Sequence, residues 1–369
     1  MKQYGVITPS ATQDPNPGLV SVTLAMLCLS IGFSAGVLHG DEIIVSGGRN
    51  YEDVTITSAT WEQVQYRLPG VSTAQKVAAE RVEKLIFDQE PASLSRGRGA
   101  IEQGDWEGAV SALRSAASLG DPRQKADAMY LLGLALLRWG DQDPQQRPAA
   151  ITALGAYLGQ FEAQKDFYVP HARVALAAVH QRLEAFSAAD EALAPLASGD
   201  FGRHWILRAR LAKGMILQAQ QNWIGAREIF SSVDYDSLAN SGMTRSAWLG
   251  YADCQLGQKQ WSSAIDTVRQ RVLQVRTSPS ARLDAAKARG WLIWGKATQQ
   301  QASGDRTQLQ WAMIRYLRAA VIATRGESET LAEAIFRAKT VAVELGDEDR
   351  VEELAQRLQK LVPNSVWNK

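Results

Sequence analysis

The stretch QGDWEGAVSALRSA, residues 103–116, places a tryptophan directly after a polar turn, an alanine three residues later and a leucine four residues after that. Trp106, Ala109 and Leu113 share one face of a helix, because steps of three and four match the helical period. The same arrangement returns as QQNWIGAREIFSSV from residue 220 and as QKQWSSAIDTVRQR from residue 258. A helix that begins at an aromatic residue is therefore a repeated unit of this chain.

Each of these aromatic residues has a small residue nine positions before it and an alanine three positions after it. Four complete sets are present: Gly97, Trp106 and Ala109; Ala177, Phe186 and Ala189; Gly214, Trp223 and Ala226; and Ala252, Trp261 and Ala264. The small residue and the alanine let two helices approach closely, and the aromatic ring fills the wedge near the turn. The pattern predicts helical hairpins, which bury their apolar stripes only by stacking on one another.

This arrangement resembles the tetratricopeptide repeat (TPR) family, whose signature begins W-x2-L-G-x2-Y and continues to an alanine and an aromatic residue. Leu132 with Gly133, and Trp291 with Trp294 and Gly295, match its first part. The resemblance implies a mainly α fold, an α-solenoid of TPR-like hairpins over residues 91–369 that ends in a capping helix near 350–362. The small positions that define the hairpins are Gly97, Gly133, Ala177, Gly214, Ala252, Gly295 and Lys339. They are spaced more widely than the roughly 34 residues of the family, so the register of the second, sixth and seventh hairpins stays open.

Residues 41–88 differ in character, since Val, Ile, Thr, Tyr and Trp occur there with partial alternation. They predict five short strands near 42–46, 51–57, 61–67, 74–78 and 84–87. Five short strands are too few for a sandwich, so we expect a small, strongly bent sheet or a β-barrel-like module, which resembles SH3-like and Sm-like barrels. Its basic residues are scattered, which favours a structural or adaptor role over nucleic-acid binding.

Residues 19–38 carry no charge, and only Lys2 and Asp14 precede them among charged residues. Two interpretations of residues 1–40 stay open: an export signal cleaved between about 36 and 40, or an uncleaved anchor, because about 20 apolar residues span a bilayer. Both place the rest of the chain in the periplasm or cell envelope. Cleavage would remove Cys28 and leave Cys254 alone, so no intrachain disulfide is expected.

The sequence shows no pattern typical of a catalytic or metal site. The four histidines lack zinc-site spacing, and no P-loop, G-x-S-x-G or G-x-G-x-x-G motif occurs. The stretch SGDFGRHW, residues 198–205, mixes Gly, Asp, Arg and His, and we interpret it as a loop between hairpins. We therefore expect no catalytic residue, cofactor or metal. The net charge of +1 gives no global attraction to nucleic acid or acidic lipid.

If the family register carries over, the first helices of the hairpins line an inner groove. The groove positions predicted in this way are Arg98, Tyr130, Arg138, Arg182, Arg208 and Lys296. This set is net basic and favours acidic or C-terminal peptide segments, because arginine pairs with carboxylates in a bidentate manner. The function expected from the resemblance is a non-catalytic scaffold or adaptor that binds partner proteins in this groove. The alternative is a nucleic-acid-binding protein that uses the Sm-like module and the basic groove inside the cell.

Overall fold

A computed structural model describes the chain from residue 40 onward. The described residues are 40–363 and 365–368, without 47, 49, 119–120, 235, 237–240, 275–280 and 324–327. The predicted signal or anchor at residues 19–38 lies outside them. In the described part of the chain, no helix combines the length and the apolar character needed to cross a membrane.

The five predicted strands are present and form one antiparallel sheet. They are β1 (Asp41–Val45), β2 (Tyr51–Ala59), β3 (Gln63–Arg67), β4 (Gln75–Ala78) and β5 (Val82–Ile86). Their order is β4-β3-β2-β1-β5, so β4 and β5 are edges. Of the two expected forms, a bent sheet and a barrel, the module is therefore an open sheet. Closure is not needed to cover the apolar face, because helices cover it instead.

The buried face of the sheet continues into the core of the first hairpins. Ile43, Val54 and Val64 are at most 1% exposed and belong to one apolar cluster that extends into the helices. Asp41, which is 6% exposed, accepts hydrogen bonds from the backbone N–H groups of Ile56 and Asp88, both at 2.7 Å. This buried carboxylate ties the start of β1 to β2 and to the chain that leaves the sheet.

Fourteen helices follow the sheet in the described part of the chain. They are α1 (Ala92–Gln103), α2 (Trp106–Ala116), α3 (Pro122–Gln142), α4 (Arg147–Phe161), α5 (Val169–Arg182), α6 (Phe186–Ala197), α7 (Arg203–Ala219), α8 (Trp223–Asp234), α9 (Ser241–Gly257), α10 (Trp261–Val268), α11 (Ala281–Ala302), α12 (Arg306–Ile322), α13 (Ser328–Leu345) and α14 (Glu348–Leu361). Each odd-numbered helix packs against the helix that follows it. These seven stacked hairpins confirm the predicted mainly α fold, an α-solenoid of TPR-like units.

The turn inside the hairpins has a recurring conformation. Two residues before the second helix stands a left-handed residue: Gly104 (φ 73°), Glu184 (57°), Gln221 (60°), Lys259 (59°) and Gly346 (72°). The next N–H then reaches back to a carbonyl five residues earlier, as from Asp105 to Ala100 at 2.9 Å. This closure satisfies the free carbonyls at the end of the first helix. The second helix of the first, third, fourth and fifth hairpins begins at the aromatic residue of the motif.

The glycines of the motif lie where two helices of a hairpin are closest. A Cβ on Gly97 would lie 2.6 Å from the Leu113 side chain, and one on Gly214 would lie 2.6 Å from the Phe230 ring. Gly133 approaches Leu154 at 2.5 Å and Gly295 approaches Tyr316 at 2.6 Å, again on the second helix. These contacts place Gly133 and Gly295 at the same structural position as Gly97 and Gly214. The longer helices of the second and sixth hairpins accommodate the extra residues between the two contact points.

The seventh hairpin departs from the motif, because Lys339 occupies its small position. Its Nζ lies 5.2 Å from the ring centre of Phe336 on the same helix. Beside it, α13 and α14 border a cavity of about 500 Å³ that Lys339, Leu358 and Gln359 help to line. The inner face of α14 is nonetheless well buried, with Leu354 and Leu358 each 1% exposed.

Candidate partner-binding surface

Arg98, a predicted groove residue, lies at the junction between the sheet and the first two hairpins. Its side chain is 9% exposed and donates to Glu90 Oε1 at 2.7 Å and to the Leu85 carbonyl at 3.0 Å. It also forms an ion pair with Asp127, which is fully buried. The guanidinium therefore fastens α1 to β5 and α3.

Three more of the predicted basic positions lie next to carboxylates. Arg182 on α5 pairs with Asp141 of α3, and Arg138 lies 3.9 Å from the same carboxylate. Lys296 on α11 pairs with Glu333 of α13 at 2.7 Å. Together with Arg98, these contacts balance the positive charge that the sequence pattern predicted for the groove. They brace neighbouring first helices against each other.

Tyr130 and Arg208 are brought together in one aromatic cluster. Tyr130 stacks on Tyr168 with ring centres 4.4 Å apart, and His171 lies between this pair and Trp205, 4.6 Å from the latter. Arg208 lies over Trp205 at 5.1 Å. The cluster joins α3, α5 and α7, the first helices of three successive hairpins.

Burial sets the protonation of this cluster. It lowers the pKa of His171 to about 3, with the nearby Arg208 acting in the same direction. Burial and Arg208 also lower the pKa of His204 to about 4, and burial raises the pKa of Tyr130 to about 12. All three side chains are therefore neutral at neutral pH, and neutral His204 can accept the hydrogen bond that Arg208 Nε donates at 2.9 Å.

The sheet reaches the same cluster through the turn between β2 and β3. Trp61 lies 4.6 Å from Phe201 between their ring centres, and its backbone N–H donates to the Lys165 carbonyl at 3.2 Å. Lys165 forms an ion pair with Glu62 at 3.2 Å. The loop between α6 and α7 carries Phe201 and turns at Gly199 (φ 99°) and at Gly202 (φ 88°), conformations that favour glycine.

Between these elements lies a pocket of about 430 Å³. We call it the junction pocket; it is lined by Trp61, Glu62, Ala78, Glu80, Gly199, Asp200, Phe201, Gly202, His204 and Trp205. Its aromatic rings come from the β2–β3 turn, the α6–α7 loop and α7, and its carboxylates are Glu62, Glu80 and Asp200. Trp61 Nε1 is buried and has no acceptor among the described residues. Aromatic faces beside carboxylates suit a cationic side chain.

The sequence predicts a loop at residues 198–205, but the structure has a loop only over 198–202, because α7 already begins at Arg203. Phe201, His204 and Trp205 of this stretch line the junction pocket. The repeat motif does not mark Trp61, because this residue lies in the turn between β2 and β3, outside the repeats. No local sequence pattern links Trp61 to Phe201. Only the docking of the sheet on the helices brings them together.

Metal-binding groups and reactive cysteines are the features of the described residues that concern catalysis. They contain no group of His, Cys, Asp and Glu side chains arranged to hold a metal ion. Cys254 is a buried free thiol, and burial raises its pKa to about 12. It is therefore protonated at neutral pH and is a poor nucleophile.

No family model matches this chain, and no curated protein sequence matches it. Among solved structures it is similar to PilF of Pseudomonas aeruginosa, at 19% identity and a TM-score of 0.40 over 67% of this chain and 96% of the other. It is similar to PilW, a widely conserved type IV pilus biogenesis factor, at 15% identity and a TM-score of 0.43 over 66% of this chain and 96% of the other. It is also similar to a tetratricopeptide repeat protein from Parabacteroides merdae, at 16% identity and a TM-score of 0.38 over 72% of this chain and 97% of the other. All three TM-scores are below 0.5, and such values say nothing about what this chain binds.

Proposed function

We propose that this protein is a non-catalytic scaffold or adaptor of the cell envelope that binds partner proteins through the first helices of its hairpins. The observation that carries the proposal is the junction pocket, an open aromatic site between the sheet and the solenoid. Stacked helical hairpins offer an extended surface of this kind for another chain. The seven described hairpins give the partner a track that continues beyond the pocket.

The chemistry of the junction pocket defines the partner more closely. Glu62 is paired with Lys165 of the chain, but Glu80 and Asp200 also border the aromatic rings, so a lysine or arginine side chain would gain both cation–π and ionic contacts there. The groove positions Arg98, Arg182 and Lys296 already pair with carboxylates of the chain. We therefore propose that the partner makes its first contact at the junction pocket, and that a basic segment of the partner binds there.

The sheet has an adaptor role in this proposal. We propose residues 41–88 as an SH3-like module and residues 91–369 as the repeat domain, with the module docked on the first hairpins. Arg123 of α3 supports this docking, since it donates to the Ile56 carbonyl at 2.9 Å. The module supplies Trp61 to the pocket, so neither part has the complete site alone.

The envelope location rests on the uncharged segment 19–38. Expression of the full chain in a bacterial host, cell fractionation and intact mass measurement test it. A product that begins between about 37 and 41 in the soluble envelope fraction means cleavage, and an intact chain in the membrane means an anchor. An intact chain in the cytosol would contradict the envelope location.

Partner binding can be tested by photo-crosslinking in the native host. We would place p-benzoylphenylalanine at Glu80, an exposed residue of the pocket rim, and separately at Glu352, exposed on α14. We expect a discrete crosslinked protein from the Glu80 position only, and its loss when Phe201→Ala is added. The same crosslinks from both positions, or no crosslink at Glu80, would sink the proposal.

A further inference from the structure

A second surface, on the fifth and sixth hairpins, combines tryptophans with arginines. Arg271, which follows α10, lies over the Trp248 ring of α9 at 4.6 Å. Arg318 of α12 lies over the Trp291 ring of α11 at 4.9 Å. We call this the arginine–tryptophan surface; it comprises Trp248, Arg271, Trp291, Trp294, Trp311, Arg315 and Arg318.

The two stacked pairs occupy equivalent positions in successive hairpins. Trp248 stands four residues before Ala252, and Trp291 stands four residues before Gly295, the small positions of their hairpins. In both hairpins the arginine comes directly before a buried residue, Val272 after Arg271 and Ala319 after Arg318. Since α9 and α11 pack against each other, the repeat places the two guanidinium groups on neighbouring units.

Arg315 fills the space between further rings of the sixth hairpin. It lies 4.7 Å from the Trp294 ring centre and 5.7 Å from that of Trp311. Trp291 and Trp294 are stacked on each other, 5.1 Å apart and 4° from parallel. Trp311 is 48% exposed, a large open apolar face next to the arginines.

Among the described residues, no carboxylate forms an ion pair with these arginines, whereas several other basic side chains of the solenoid have one. Arg182, Arg289 and Lys296 all have an acidic partner within 4 Å. Among the described residues, Arg315 and Arg318 have none, and the same holds for Arg271. Arg315 Nη1 and Trp294 Nε1 are buried donors with no acceptor in the described part of the chain. The surface thus concentrates positive charge and donors on a rigid aromatic base.

We propose that the arginine–tryptophan surface binds an acidic peptide segment of a partner protein. A guanidinium that lies flat on an indole keeps its edge free for the bidentate pairing that carboxylates prefer. Trp311 adds apolar contact area next to the charged groups. This site is separate from the junction pocket and does not depend on it.

The geometry favours a peptide over a single-stranded nucleic acid. Nucleic-acid binding surfaces use successive free aromatic faces on which bases stack. Here guanidinium groups cover the rings of Trp248, Trp291 and Trp294, so Trp311 is the principal open ring. Arg271 and Arg318 are exposed, so a carboxylate can reach them, whereas Arg315 Nη1 is buried.

Fluorescence anisotropy on the purified full chain tests the proposal. The probes are a fluorescein-labelled decapeptide of alternating glutamate and serine, its glutamine counterpart, and a ten-nucleotide oligothymidine. We expect the glutamate peptide to bind, the glutamine peptide not to bind, and the combination Arg315→Gln with Arg318→Gln to weaken binding at least tenfold. Arg306→Gln, an exposed arginine of the same helix, is the matched control and should bind as the unmodified chain does.

Thermal unfolding of each variant shows whether the helices remain folded. Equal binding of both peptides, no binding of the glutamate peptide, or full binding by the folded double variant would overturn the proposal. Tighter binding of oligothymidine that the same double variant abolishes would overturn it in favour of a nucleic-acid site. Phe201→Ala should leave peptide binding unchanged, so this test and the crosslinking test of the junction pocket can fail separately.

Discussion

Replacement of Arg98 by leucine tests whether this residue holds the fold together or contacts a partner. The change removes the donors to Glu90 and to the Leu85 carbonyl and leaves Asp127, which is fully buried, without its ion-pair partner. The second carboxylate oxygen of Asp127 has no partner among the described residues to compensate. Breaking a buried ion pair from one side costs about 3–5 kcal/mol. With the Arg98 side chain only 9% exposed, solvent screening reduces this cost little.

Urea unfolding followed by tryptophan fluorescence should show this loss of unfolding free energy. Hydrogen exchange should locate it: amides of β5 and α3 are expected to lose protection, whereas those of α13 and α14 keep theirs. The reason is that units of a solenoid contact mainly their neighbours, so a local loss spreads little along the array.

The matched control is Arg138→Leu, since Arg138 is 55% exposed and lies 3.9 Å from Asp141. Loss of this exposed ion pair should lower the free energy of unfolding by less than about 1 kcal/mol. Combining Arg98→Leu with Asp127→Leu should restore part of the stability, because the fully buried Asp127 carboxylate is then absent and only Glu90, 12% exposed, stays without Arg98. An Arg98→Leu chain as stable as the unmodified one, or a double variant no better than the single one, would refute this reasoning.

Three further predictions concern the hairpins. Gly214→Ala should lower the free energy of unfolding by about 1–3 kcal/mol, because its Cβ would lie 2.6 Å from the Phe230 ring. Gly155→Ala, on exposed helix surface, should instead raise the free energy of unfolding by up to about 1 kcal/mol. Calorimetry on both variants checks this. Gln221→Gly should stabilise the chain by up to about 1 kcal/mol, since φ is 60° there, and a loss in urea midpoint would contradict it. The pKa of His171 falls from 6.5 to about 3 on folding, so the unfolded state binds more protons than the folded state below pH 6.5. The free energy of unfolding should therefore fall as the pH drops from about 6.5 toward 3. His171→Gln should make that slope shallower by up to about 1.4 kcal/mol per pH unit.

The repeats could be predicted from the sequence because their chemistry is local. An aromatic residue that begins a helix, an alanine three positions on and a small residue nine positions before it recur in a single stretch of chain. The contact of Gly97 with Leu113 and that of Gly214 with Phe230 show the physical cause of this spacing. The strands were predictable for the same reason, since alternation is also a local pattern.

Contacts between distant parts of the chain could not be predicted in this way. Arg98 has the residue type and register of a groove position, but its partner Asp127 is a carboxylate from the next hairpin that no motif marks. Whether the sheet closes into a barrel also depends on distant parts of the chain. Residues of α1 and α3 pack on its apolar face, and the sheet stays open. Trp61 and Phe201 meet only because of that docking.

The two proposed sites differ in charge for a structural reason. In the first hairpins the sheet covers the helices, and their basic residues, such as Arg98 and Arg123, are used to hold it. The carboxylates that line the junction pocket are Glu62, which pairs with the exposed Lys165, and Glu80 and Asp200 beside the aromatic rings. In the fifth and sixth hairpins no sheet residue competes for the arginines, which stack on indoles and keep their charge available. A partner with a basic segment followed by an acidic one would therefore bind the solenoid in one direction only, because the reversed chain would place like charges together at both sites.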